Sequence, residues 1–198
     1  SVILAAPAAG SGEVAIPAAP GALAANLSPD GLLSWLEPVA GQKGHHRLRY
    51  ARPLGSGWGQ PVTITEGDGF FANWADLPAV VQLKDDSFVA HWLEKAGADP
   101  YAYGVRWARS TDGKTWKTAG WLHKDRSETE HGFVSWVPRP AGGAWAFWLD
   151  GNAMATGGAM ELHGKLVATG KHRELLASSQ LYARWASLQF DEAAAVEE

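Results

Sequence analysis

Three tryptophans recur at an almost fixed interval. Trp35 stands in Ser34-Trp35-Leu36-Glu37, Trp92 in His91-Trp92-Leu93-Glu94 and Trp148 in Phe147-Trp148-Leu149-Asp150, 57 and then 56 residues apart. A second marker keeps the beat: Arg49-Tyr50-Ala51-Arg52 returns as Arg106-Trp107-Ala108-Arg109, again 57 residues on. A period of this size means one supersecondary unit copied in series, each copy burying a face against the next.

The unit consists of short strands and tight turns. In the second copy, Pro78 to Leu83 is apolar, Lys84-Asp85-Asp86-Ser87 is a turn, Phe88 to Leu93 is apolar again, and Tyr101 to Arg109 is rich in aromatic and β-branched residues. The run Ser110-Thr111-Asp112-Gly113-Lys114-Thr115-Trp116 then turns the chain into a last short segment ending at Leu122. Four strands with turn chemistry between them fit in under 60 residues. The first copy repeats the plan at Leu32 to Leu36, Arg47 to Arg52 and Pro61 to Thr65, and the third begins it at Phe133 to Val137 and Ala144 to Leu149. Four antiparallel strands per repeat make the blade of a β-propeller.

The Ser110–Trp116 run resembles the Asp-box hairpin, Ser-x-Asp-x-Gly-x-Thr-Trp, one residue shorter. Asp112 suits the backbone amides of the turn, Gly113 a positive φ, and Trp116 the space under the hairpin. The first copy keeps only its glycines and Trp58. With the threefold period, the box makes residues 23–160 similar to the sialidase-type, or BNR-repeat, propellers. The expected fold is therefore all-β: a partial, three-blade sialidase-type β-propeller over residues 26–160, with an Ala/Pro-rich lead-in at 1–25 and a strand plus amphipathic helical segment at 161–198. Such propellers close with six blades, so three blades imply either a piece of a longer protein or pairing with a second half-propeller, for example in a homodimer.

The two ends differ from the middle. Ala5-Ala6-Pro7-Ala8-Ala9 reads as the tail of a processed secretory signal, which makes a secreted or periplasmic location the expectation. Residues 161–198, with Gly170-Lys171-His172-Arg173-Glu174-Leu175-Leu176 and Leu181-Tyr182-Ala183-Arg184-Trp185, are similar to the C-terminal end of an ABC-transporter ATPase domain. The chain has no Gly-x-x-x-x-Gly-Lys-[Ser/Thr] loop to cradle phosphate, so it does not hydrolyse ATP by itself. Physically the segment reads as an amphipathic helix over residues 171–189, through Leu175, Leu181, Trp185 and Leu188.

Composition removes other classes. A net charge of -4 does not suit nucleic acid, no apolar run approaches the ~20 residues of a membrane span, and there is no cysteine for thiolate chemistry or disulfides. Eleven tryptophans give the chain ample aromatic surface. No cofactor is expected, and no metal, since His45-His46 has no third ligand placed by spacing.

The blade plan locates a site. The Asp-box joins the third and fourth strands at one end of a blade. Loops between strands two and three, and those leading to the next blade, open at the other end, which is the binding face in the resembling family. On this chain those loops carry His45, His46, Asp68, Asn73, Trp74, Asp76, Tyr101, Tyr103, Arg126, Glu128, Glu130, His131 and Asn152. Trp35, Trp92, Trp148 and the paired arginines repeat with the blades and read as packing. His91 reads as a core histidine, and Glu128 and Glu130 both admit the reading of a solvated loop. Asp76 and His131 stand at the entries of innermost strands and break the repeat. Asp76 and His131, with Glu130 on the adjoining loop, are the expected catalytic groups, and Asn73, Trp74, Arg126, Tyr101 and Tyr103 the expected substrate contacts. Aromatic faces beside charged groups suit a glycan or another small polar ligand.

The resemblance implies sialidase chemistry only with an arginine cluster, a Tyr–Glu nucleophile pair and an Asp acid/base. The family's Phe/Tyr-Arg-Ile-Pro opening is not matched, because Ala15-Ile16-Pro17 has no arginine. Exo-sialidase activity is therefore expected only of a complete parent or assembly. The alternative is a non-catalytic module that binds carbohydrate or protein.

Overall fold

The computed structural model describes residues 12–140 and 142–167. Sheet one contains β1 (Leu23–Leu27), β2 (Leu33–Pro38) and β3 (His46–Ala51). A small hairpin, β4 (Pro53–Leu54) and β5 (Gly57–Trp58), leads to its last strand, β6 (Val62–Gly67). Sheet two is β7 (Ala79–Gln82), β8 (Phe88–Lys95), β9 (Tyr103–Ser110) and β10 (Lys117–Trp121). Sheet three is β11 (His131–Pro138), β12 (Ala144–Asp150) and β13 (Glu161–Val167), with a short 3-10 turn at Asn152–Thr156. Every neighbouring pair is antiparallel, and within each sheet the strands follow one another in chain order, with only the β4–β5 hairpin inserted between β3 and β6. The described residues form an all-β partial propeller of three consecutive blades.

Two boundaries differ from the sequence reading. β1 begins at Leu23, inside the stretch assigned to the lead-in, because Leu23 pairs with Leu36. Glu161–Val167, grouped with the tail, is the third strand of sheet three, pairing along its length with β12. The expected helix at 171–189 lies outside the described residues.

The period is visible in three dimensions. Trp35, Trp92 and Trp148 all lie on the second strand of their sheets, and their cross-strand partners are Arg49, Arg106 and His163. Two residues on, Glu37, Glu94 and Asp150 meet those same partners at 2.9, 3.6 and 3.4 Å. The indole N–H groups of Trp35 and Trp148 donate to Glu37 and Asp150, both at 2.9 Å. Each blade thus carries one Trp-x-acid cassette, clamped by a basic residue on the next strand.

Packing follows strand alternation. Phe88, Ala90 and Trp92 face sheet one, against Leu32, Leu36, Leu48 and Tyr50. Val89 and Leu93 face sheet three, against Ala144, Ala146 and Trp148. Covered on both sides, β8 reads as a continuous apolar run rather than an alternating one. The Ser110–Trp116 turn staples the first blade to the second. Trp116 meets Tyr50 edge-on at 5.8 Å, and the Tyr50 hydroxyl donates to the Gly113 carbonyl at 2.5 Å. Asp112 Oδ1 accepts the Lys114 and Thr115 amides at 2.8 and 2.7 Å, while Gly113 supplies a φ of 67°.

Candidate functional site

The innermost strands of blades one and three bulge at equivalent places. The register slips after Leu23 and after Gly132, which lie opposite the residues following Trp35 and Trp148. Ala24 and Phe133, next in line, take φ of 53° and 56°. The left-handed turn is costly for a bulky side chain, yet because it recurs it belongs to the blade plan. What does not recur is its partner: the Asp76 Oδ2 accepts the Phe133 N–H at 2.7 Å, reaching across from the entry to sheet two. Gly132 permits this approach, since a Cβ there would fall 2.0 Å from Asp76 Oδ2.

Around Asp76 the structure gathers part of the expected site. The Tyr103 hydroxyl donates to Glu130 Oε1, Asn73 also bonds Tyr103, and Phe71 stacks on the Tyr103 ring at 4.3 Å. Burial pushes Asp76 up to about 6; the Phe133 N–H opposes the shift and the Glu130 charge adds to it. Burial, then the Glu130 hydrogen bond, raises Tyr103, so this phenol remains a neutral donor. Tyr103 is fully buried, so it orders Glu130 and Asn73 instead of meeting a ligand.

Other expected residues are placed differently. Trp74 is 94% exposed and Tyr101 69%, two aromatic faces left open on the loops leading into β7 and β9. On the loop that leads into β9, a cleft of about 340 Å³ is lined by Phe71, Lys95, Asp99 and Pro100. Arg126 curls back on its own loop, giving its Nη1 to the carbonyls of His123 and Asp125 at 2.6 and 2.5 Å, and stacks over Trp121. Glu128 lies against Gly97. His45 pairs with Asp68 at 2.7 Å and His46 with the Gly44 carbonyl, away from the carboxylate cluster, and Asn152 opens the exposed 3-10 turn. His91 lies in the core: it accepts the Trp136 indole N–H at 2.9 Å, and burial lowers its pKa to about 4.

His131 is separated from Asp76 and faces a second cluster. Its Nδ1 bonds the Thr129 carbonyl at 3.1 Å, while its Nε2 lies 2.8 Å from Asp125 Oδ2 and 3.4 Å from Asp150 Oδ1. His123 stacks on it at 4.1 Å, nearly parallel. Asp125, His131 and Asp150 offer three ligand atoms within 4.8 Å of one another, which is the grouping among the described residues able to hold a metal. The sequence reading missed Asp125, Asp150 and His123. Asp150 was hidden because it is also the acid of the third cassette, and Asp125 because loop spacing alone does not say where a carboxylate points.

A larger cleft, about 490 Å³, lies at the Ser110–Trp116 end between Tyr50, Arg52, Gln60 and Asp112. Its principal acid is saturated by turn amides, and it carries neither an exposed aromatic platform nor a carboxylate cluster of the kind found at the loop face.

Comparison with protein-family models and with curated proteins returns no match. Among solved structures the chain is similar to the endo-arabinase of Bacteroides thetaiotaomicron VPI-5482. The identity is 15% and the TM-score 0.45, over 76% of this chain and 56% of that one. This chain therefore spans little more than half of that structure's length.

Proposed function

We propose that this partial propeller recognises a glycan at the loop face where Asn73, Trp74, Asp76, Tyr101 and Glu130 gather. The observation that carries the reading is Trp74, whose indole is 94% exposed beside the buried Asp76. A folded protein gains nothing from leaving so large an apolar ring in water, and an isolated face flanked by hydrogen-bonding groups suits the C–H face of a sugar. Tyr101 and the Phe71–Asp99 cleft extend the same surface.

The Asp-box resemblance favours a sialidase-like parent, and residue types at the cluster agree in part. Tyr103 with Glu130 forms a Tyr–Glu pair, and Asp76, shifted to about 6, has the proton affinity of a general acid near neutral pH. Two observations argue for binding over hydrolysis in this chain. Tyr103 is buried, and Arg126, the expected carboxylate anchor, is held by its own loop carbonyls. Exo-sialidase activity is assigned only to a complete parent or an assembly of half-propellers. The alternative, a non-catalytic carbohydrate- or protein-binding module, uses the same face. Such a role fits an exported protein. No helix among the described residues is long and apolar enough to cross a membrane.

Isothermal calorimetry of the chain against a panel of neutral and sialylated oligosaccharides tests this. At least one glycan should bind, and Trp74→Ala should weaken it by roughly tenfold or more, the loss of about 1.4 kcal/mol of ring contact. A panel that gives no heat, or an affinity indifferent to Trp74, overturns the proposal. Release of fluorophore from a sialic acid conjugate should be undetectable; robust turnover by the purified chain would favour the enzymatic reading.

A further inference from the structure

The second cluster has a chemistry of its own. His131 is 1% exposed and Asp150 2%. The Nδ1 of His131 is committed to the Thr129 carbonyl, which fixes Nε2 as the nitrogen turned toward Asp125 and Asp150. That Nε2 is fully buried and makes no hydrogen bond, although both carboxylates lie within ion-pair distance. An imidazolium placed there only to neutralise two acids would aim its N–H along one of the N···O lines. A neutral imidazole would hold its lone pair against two carboxylate oxygens. In the structure Nε2 is aimed along neither N···O line, into the space between the two carboxylates.

We propose that Asp125 Oδ2, His131 Nε2 and Asp150 Oδ1 bind one divalent first-row transition ion, of the zinc or manganese class. Ligand atoms about 2.1 Å from a tetrahedral ion stand about 3.4 Å apart; His131 Nε2 lies 3.4 Å from Asp150 Oδ1 and 2.8 Å from Asp125 Oδ2, so Asp150 is already at the required separation and the part-exposed Asp125 carboxylate has to draw back by roughly 0.6 Å to admit the ion. One imidazole with two carboxylates suits such ions better than calcium or magnesium, which prefer oxygen ligands throughout. The supporting bonds are those of a built site. A backbone carbonyl holds the far nitrogen of His131, the Trp148 indole and the Asn152 amide hold Asp150, and the Ser127 hydroxyl and amide hold Asp125. His123 does not join the ligand set. Its Nε2 accepts the Val105 amide at 3.0 Å and its Nδ1 bonds the Asp125 carbonyl at 2.9 Å, so its ring serves as a wall. Three protein atoms leave at least one coordination position for water or a ligand; of the three side chains, Asp125 is the one in contact with solvent, 24% exposed.

The ion ties together parts that backbone pairing leaves loosely joined. His131 and Asp150 are register partners at the mouth of sheet three, whereas Asp125 sits on the connection from sheet two. That connection carries Arg126 and Glu130, so the metal clamps the loop bordering the glycan face. The inference does not depend on glycan binding.

The test uses the full chain, stripped with chelator and dialysed. Metal content by mass spectrometry after exposure to zinc or manganese should approach one ion per chain. The melting temperature should rise by about 5 to 10 °C at roughly hundredfold excess over Kd. Asp125→Asn keeps the shape and the Ser127 contacts on a part-exposed residue, so it should fold; it should bind zinc at least tenfold more weakly and lose the thermal shift. A folded wild-type chain that retains no ion and melts at one temperature with or without zinc overturns the site. So do equal zinc binding by wild type and Asp125→Asn, and a calcium or magnesium shift as large as that of zinc.

Discussion

Asp76 is the residue whose chemistry the fold alters most. It is 4% exposed, and burial raises it from an ordinary 3.8 to about 6. An acid with a raised folded pKa holds its proton more tightly when folded. Its contribution therefore favours the folded state fully below the unfolded value near 3.8, and is lost as pH climbs through about 6. That difference of about 2 pH units corresponds to about 3 kcal/mol. Asp76→Asn preserves an acceptor for the Phe133 N–H but cannot ionise. Urea unfolding from about pH 4 to about pH 7 should show wild type losing about 2 kcal/mol relative to the Asp76→Asn variant; parallel pH profiles would mean that the carboxyl is solvated.

At the scale of elements, the Trp-x-acid cassette explains why the tryptophans keep their interval. The cassettes are not equally buried. Glu37 is 3% exposed and receives Trp35, Ala19 and Arg49, whereas Glu94 in the second blade is 31% exposed and 3.6 Å from Arg106. Glu37→Ala strands a partly buried guanidinium and an indole N–H and should cost about 3–5 kcal/mol in urea unfolding. Glu94→Ala should cost about 1 kcal/mol or less. Equal losses would contradict the difference in burial. The cassettes also show what the sequence could express. Strand number, blade order, the Ser110–Trp116 turn and the equivalence of the three indoles are local or periodic, so spacing reveals them. The split of the site into an Asp76 cluster and a His131 cluster is not. It depends on neighbouring residues, Glu130 and His131, turning their side chains to different partners at the start of β11, and on a bulge that distorts simple alternation there. Arg126 is a similar case: its place on the loop face was readable from the blade plan, but the bonds from its guanidinium to two carbonyls of its own loop were not.

For the molecule as a whole, sheet two is the keystone, since both of its faces are covered and both core clusters run through it. Sheet three leaves Phe133, Val137, Trp145 and Leu162 exposed, from 40% to 73%. In a propeller that face meets the next blade. Stability should therefore fall away from the centre. In native-state hydrogen exchange the β8 and β9 amides should be the slowest, and those of β1 and β13 should open first. Slowest exchange in sheet one or sheet three would contradict a core centred on sheet two.

On the proposed function, the two ends of the blades divide stability from recognition. Asp112 belongs to a turn at one end, and Trp74 to the loop face at the other. The most direct test is a crossed comparison of Trp74→Ala and Asp112→Ala, measuring melting temperature and affinity for one bound glycan in both. Trp74→Ala should lose the glycan and keep the wild-type melting temperature; Asp112→Ala should melt earlier and bind with wild-type affinity. Loss of glycan binding in Asp112→Ala at an unchanged melting temperature, with Trp74→Ala indifferent, would place the recognition face at the wrong end of the blades.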